Sequence, residues 1–167
     1  MRVVVADATP LHYLILIGAI QVLPRIFKKI HVPFEVRDEL TCEATPPDVR
    51  TWMQQPPQWL EITAAPLVGA EDSALETLDA GERAAIVLAV SIGADLLLVD
   101  DRAGAMLAQR HGLAVTGTWG VMDLASRAGL LDLRDAFARL QKTNFRYPPS
   151  LMEMLLEEEG KRKKREA

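Results

Sequence analysis

The sequence predicts an α/β domain with a mostly parallel central sheet, and three observations carry that prediction. Four short apolar runs, residues 3–6, 30–32, 96–99 and 114–116, show no alternation of apolar and polar positions, as expected of strands buried on both faces. Between them lie stretches whose apolar residues recur at three- and four-residue spacing. Several of these stretches close on a glycine, at Gly18, Gly93, Gly112 and Gly129, where a left-handed residue can end a helix. Strands alternating with helices give a sheet of about four to five strands flanked by helices.

After the first strand, residues 10–17 and 20–27 read as helices. Pro33 opens another, because proline fits the first helical turn at no loss of a hydrogen bond. Residues 43–72 are rich in proline and are expected to form a short helix, an edge strand and a long loop placed to serve as a lid. Asp79 caps the clearest helix of the chain, in which Ala84, Ala85, Leu88, Ala89 and Ile92 share one face. Residues 102–110 and 119–128 repeat the helix-then-glycine order. Two further helices follow, 133–142 behind Asp132 and one opened by Ser150 with Glu153 as a capping box. The run "KRKKR" at 161–165 is expected to fray. The chain accordingly divides into a domain at 1–145 and a C-terminal helix and basic tail at 146–167.

Composition excludes several function classes. With 49% hydrophobic and 25% charged residues the chain has the means to build a packed core and is not a disordered segment. One cysteine, Cys42, rules out an internal disulfide framework and the usual zinc spacings, so a cytoplasmic protein is expected. The apolar N-terminus is interrupted by Asp7, Pro10 and Pro24 before it reaches the ~20 residues of a membrane span, and no membrane association is expected. His12, His31 and His111 show no metal-ligand pairing, and no glycine-rich phosphate loop is present. The net charge of −4 argues against a nucleic-acid partner, unless the acids are gathered and neutralised.

Gathering is what the pattern of acids predicts. In a parallel α/β sheet, ligands bind beyond the C-terminal ends of the strands. Asp7 ends the first strand and Asp100 with Asp101 ends a later one, in "LLLVDD". Glu82 lies in the first turn of the helix capped by Asp79, and Glu39 on the helix after the second strand. Each acid alone has a structural account: Asp7 and Asp100 could cap helices, Asp79 and Glu82 form a capping box, and Glu39 could be solvated. Together they would form a cluster of like charges, which is costly unless a cation neutralises it. All-oxygen ligation suits Mg²⁺ or Mn²⁺.

"VVADATPLHYL" with Asp7, "VRDEL" with Glu39, "LDAGERAAIVLA" with Glu82 and "ADLLLVDDRAG" with Asp100 and Asp101, in that order, resemble the PIN-domain nucleases. The likeness is to the VapC-like toxin group of prokaryotic toxin–antitoxin modules, in the branch carrying "TGTWGV" at 116–121. It implies a Mg²⁺- or Mn²⁺-dependent ribonuclease with Asp7, Glu82 and Asp101 as metal ligands, Glu39 as the remaining acid and Asp100 as an auxiliary one. Thr9 would bond a ligand carboxylate and Thr118 would orient water. Arg102, Arg110 and the basic tail are candidate phosphate guides. An RNA substrate, a small cognate antitoxin protein and a homodimer are the implied partners. Ala8, where the family often has a hydroxyl, departs from the pattern. A non-catalytic PIN-like binding module and a DNA-directed nuclease are the competing readings.

Overall fold

Val4 and Ala6 face one side of the sheet and Val5 the other, and this division organises the molecule. The computed structural model describes residues 2–67 and 72–166. Strand β1 (Val4–Ala6) lies at the centre. Strands β2 (Ile30–Pro33) and β3 (Leu60–Thr63) extend the sheet on one side, β4 (Leu96–Leu98) and β5 (Val115–Thr116) on the other. Every neighbouring pair is parallel, in the order β3-β2-β1-β4-β5. The chain first builds outward from β1 to β3, then returns to add β4 against the opposite edge of β1. Strand order reverses there, and the reversal opens a crevice at the C-terminal ends of β1 and β4.

Successive strand residues point to opposite faces, so both faces of an unalternated apolar strand must be covered. Val4, Ala6, Leu96 and Leu98 pack against one layer: α1 (Ala8–Leu16), α2 (Val22–Phe27), α3 (Phe34–Thr41), α4 (Pro47–Gln54), α7 (Thr118–Arg127) and α8 (Leu133–Leu140). Val5, Leu97 and Val99 pack against α5 (Ala80–Ser91) and α6 (Arg102–Arg110). The glycines expected to end helices do so: Gly93 follows α5 at φ +61° and Gly112 follows α6 at φ +80°, in the left-handed region that other residues enter at a cost.

In the proline-rich middle, α4 and the edge strand β3 form as expected, and Asp72 caps a short 3₁₀ turn at Ser73–Thr77. The loop expected to act as a lid includes residues 68–71, which lie outside the described residues. The C-terminus departs from expectation. Helix α9 (Pro149–Glu166) opens two residues before the start a Ser150 cap would set, with proline in its first turn, so Ser150 lies inside the helix and is not its cap. The basic run does not fray. Glu159, buried on α9, accepts a hydrogen bond from Ser126 Oγ at 2.8 Å, and Arg162 donates to the same oxygen at 3.1 Å. Ion pairs of Glu157 with Lys161 and Glu159 with Lys163, one turn apart, support the last turns. No helix among the described residues is long and apolar enough to cross a membrane.

Candidate active site

The sheet register delivers the first acid. Ala6 lies opposite Leu98, and the Asp7 amide donates to the Leu98 carbonyl at 2.9 Å, so the ladder runs one residue beyond β1 and ends on Asp7. Asp7 occupies the cap position of α1 yet makes no cap hydrogen bond. Only 3% exposed, it leaves Oδ1 buried with no partner among the described residues. An unpaired buried carboxylate oxygen is costly. Burial pushes this carboxyl up to about 8; the Ala8 amide opposes the shift, and Glu82, Glu39 and Asp79 reinforce it.

The N-terminus of α5 supplies the next group. Asp79 Oδ1 accepts from the Glu82 amide at 2.8 Å, as the capping-box spacing predicts. The Glu82 carboxyl is pushed up to about 7, first by burial and then by Asp79, Asp101 and Glu39. Glu39 reaches this point from α3. A β-carbon on Gly81 would lie 2.8 Å from Glu39 Oε2 and 3.5 Å from Asp79 Oδ1, so the missing side chain makes room for both acids. Burial and Asp79 raise the Glu39 carboxyl as well. Asp79 is therefore a member of the cluster that the sequence presented only as a cap. The available signal was its place in the same helical turn as Glu82.

The two aspartates after β4 take different parts. Asp101, not Asp100, caps the following helix: its Oδ2 accepts from the Gly104 amide at 2.8 Å. A β-carbon on Gly104 would lie 3.8 Å from Asp101 Oδ2 and 3.9 Å from the Glu82 carboxyl carbon, so these two acids flank one point. Asp100 turns towards α7 instead. Its Oδ1 accepts from the Thr118 amide at 2.7 Å and its Oδ2 from the Thr118 hydroxyl at 2.6 Å. Burial still raises the Asp100 carboxyl against both bonds. Thr118, fully buried, thus holds a carboxylate, where the resemblance implied that it orients water.

Thr9, Glu82, Asp100 and Asp101 line a cleft of about 560 Å³ with Tyr13, Trp119 and the chain between α8 and α9. Burial and the nearby Asp100 raise the Tyr13 hydroxyl. Arg102, at the start of α6, is exposed beside the rim. Arg110 is not brought to it. It ends the same helix, about 12 Å along the axis at 1.5 Å per residue, and lies 3.7 Å from Asp72 together with His111.

Asp7, Glu39, Asp79, Glu82 and Asp101 therefore share one rim, with Asp100 beside them. The N-termini of α1, α5 and α6 point their partial positive charge at it, which offsets only part of the repulsion. Among the described residues no three carboxylate, imidazole or thiol groups stand close enough, as placed, to hold one ion. The donor chemistry nonetheless fits Mg²⁺ or Mn²⁺: the set is all oxygen, Asp7 Oδ1 lacks a partner, and the raised carboxyls would be returned to their charged form by a cation. No curated protein is similar enough to this sequence to match it. A family model described as the PIN domain matches residues 3–161, nearly the whole chain, and the chain therefore belongs to the PIN-domain family.

Proposed function

We propose that the chain is a metal-dependent endoribonuclease that hydrolyses RNA phosphodiester bonds at this rim. The observation that carries the reading is the buried Asp7 carboxylate, unpartnered at Oδ1 and surrounded by other acids at the crevice where strand order reverses. A group so placed costs stability and does not add to it. PIN domains are nuclease-type folds that typically use divalent ions, in keeping with this site.

Asp7, Glu82 and Asp101 would hold the ion. A bound Mg²⁺ or Mn²⁺ would supply an acidified water and stabilise the leaving oxygen. The chain's own groups do the remaining work. Glu39 and Asp79 keep the field at the rim negative and so favour the cation. Asp100, clamped by Thr118, presents a fixed acceptor to the cleft. Thr9 offers a hydroxyl on its lip, and Arg102 a charge for a substrate phosphate.

The motif likeness to VapC-like toxins supports a toxin role in the cytoplasm, with a small cognate antitoxin holding a homodimer in check. Incubating the purified chain with labelled single-stranded RNA in Mn²⁺, beside Asp7→Asn and a DNA strand of the same sequence, tests the reading. Asp7→Asn should cut RNA at least about a hundredfold more slowly, since losing even an outer-shell partner of a metal ligand costs up to about that much. Equal rates in both proteins would assign the fold a binding role without catalysis, and faster DNA cleavage would make it a DNA-directed nuclease.

A further inference from the structure

The cleft that starts at the acids has a second wall of different chemistry. Phe145 and Arg146, on the chain between α8 and α9, line it along with Glu82 and Asp101, and so do Tyr13 and Trp119. The wall is held in place from behind. Tyr13 meets Phe145 edge-to-face at 4.7 Å, and its hydroxyl donates to Asn144 Oδ1 at 2.8 Å. Trp119 packs on Phe145 at 5.9 Å, and Phe137 braces it from the core at 4.7 Å. Tyr13, Trp119 and Phe145 are half-buried, so each keeps part of its ring on the cleft. Arg146 is exposed and forms no ion pair or hydrogen bond among the described residues.

Aromatic rings, an uncommitted guanidinium and a carboxylate rim thus share one cleft of about 560 Å³, a volume in the range that encloses a small ligand. These parts match those of one nucleotide. A base stacks on rings, a phosphate takes the guanidinium, and the ester to be cut faces the acids. Stacking requires a base whose face is free, which a paired strand does not offer. We infer that this wall is a subsite for one unpaired nucleotide of an RNA strand, its base on the Phe145 ring, edged by Trp119, and its phosphate on Arg146. The inference rests on the nuclease reading of the rim and deepens it, naming two residues that hold one nucleotide of the strand.

The test titrates the full chain into a fluorescein-labelled RNA octamer of mixed sequence and follows anisotropy in Ca²⁺, a hard cation with the same preference for oxygen ligands. Phe145→Ala should weaken binding at least about fivefold, the lower end of what stacking one base contributes. Arg146→Ala should flatten the slope of log affinity against log salt by about 0.7, the release of one counterion from a single strand. An RNA hairpin of equal charge should bind more weakly than the strand. Because Phe145 also packs against its neighbours, the exposed Arg146 carries the test if Phe145→Ala fails to fold. Variants that bind like the wild type with an unchanged slope would overturn the subsite, as would a hairpin bound as tightly as the strand. Tighter binding of a DNA octamer would overturn the assignment to RNA. The two readings separate cleanly. A wild type that cuts RNA while both variants bind normally removes the subsite alone, whereas a strand bound through Phe145 and Arg146 but never cut removes the nuclease alone.

Discussion

Thr118 holds Asp100 through two atoms at once, its amide on Oδ1 at 2.7 Å and its hydroxyl on Oδ2 at 2.6 Å. The pair joins the end of β4 to the start of α7. Hydrogen bonds to a buried carboxylate are worth more than neutral ones, about 1.5–3 kcal/mol each. Thr118→Val keeps the shape and the amide but deletes the hydroxyl. It should lower stability by about 1–3 kcal/mol in urea unfolding at neutral pH. Asp100→Asn in the same background should recover part of the loss, since the charge no longer needs the donor. No recovery would mean that Thr118 acts through packing alone.

Asp7 and Glu82 make stability depend on pH with a definite sign. Their folded pKa values, about 8 and about 7, lie above the ordinary carboxyl values of 3.8 and 4.5. The folded protein therefore binds these protons more tightly than the unfolded chain does. The resulting stability is fully present below about pH 4 and is lost as pH rises through about 7 to 8. With chelator present, the urea midpoint should fall between about pH 5.5 and about pH 8.5, by an amount the two coupled carboxyls share. Asp7→Asn should remove most of that fall. A wild-type midpoint flat across this window would show that the carboxyls titrate normally.

Capping and repulsion separate at two of the acids. Asp7 caps nothing, so Asp7→Asn should raise the melting temperature of the metal-free protein. Asp101 accepts from the Gly104 amide, so Asp101→Ala should lose about 1 kcal/mol of capping while Asp101→Asn retains it. Mn²⁺ at about a hundred times its dissociation constant should stabilise the wild type by about 2.7 kcal/mol, and each of these variants should forfeit most of that gain. Differential scanning fluorimetry with and without Mn²⁺ reads all four. A wild type indifferent to Mn²⁺ would leave these acids without a metal to hold.

The strands, the helix-ending glycines and the rim position of Asp7, Glu82 and Asp101 were legible because each depends on local pattern plus one rule, that parallel strands end together. Which aspartate would cap α6 was not. Asp100 and Asp101 differ by one residue, and the choice is made by Thr118, 18 residues from Asp100. Asp79 read as a cap because its nearest amide accounts for it; its place in the acid field depends on Glu39 arriving from another helix. The aromatic wall was hidden for the same reason. Tyr13 and Phe145 are 132 positions apart in sequence and meet only after α8 has packed. The basic tail reads as frayed until Glu159 and Ser126, 33 residues apart, are seen to bond.

Gly117 of "TGTWGV" and Gly160 of α9 give a last test of how closely the site and the fold are joined. Gly117 precedes α7 in ordinary extended backbone, so the need for glycine there is one of space. A β-carbon would overlap Asp100 Oδ1 and lie 3.2 Å from the Val99 carbonyl oxygen. The carboxylate cannot swing aside without leaving Thr118, and Val99 is tied to the sheet by its amide, which donates to the Thr116 carbonyl at 2.9 Å. Gly160, inside α9, has nothing within 4 Å of its β-carbon position. Gly117→Ala should therefore destabilise by about 1–3 kcal/mol, the usual cost of overpacking, and shift Asp100 in the cleft. Gly160→Ala should stabilise by about 0.4–1 kcal/mol, because alanine narrows the unfolded ensemble and favours the helix. Both are read by urea unfolding, and Gly117→Ala also by RNA cleavage relative to its remaining folded fraction. If the folded fraction of Gly117→Ala cleaves RNA at the wild-type rate, the position of Asp100 does not matter to the chemistry. If Gly160→Ala destabilises, α9 is not the regular docked helix described above.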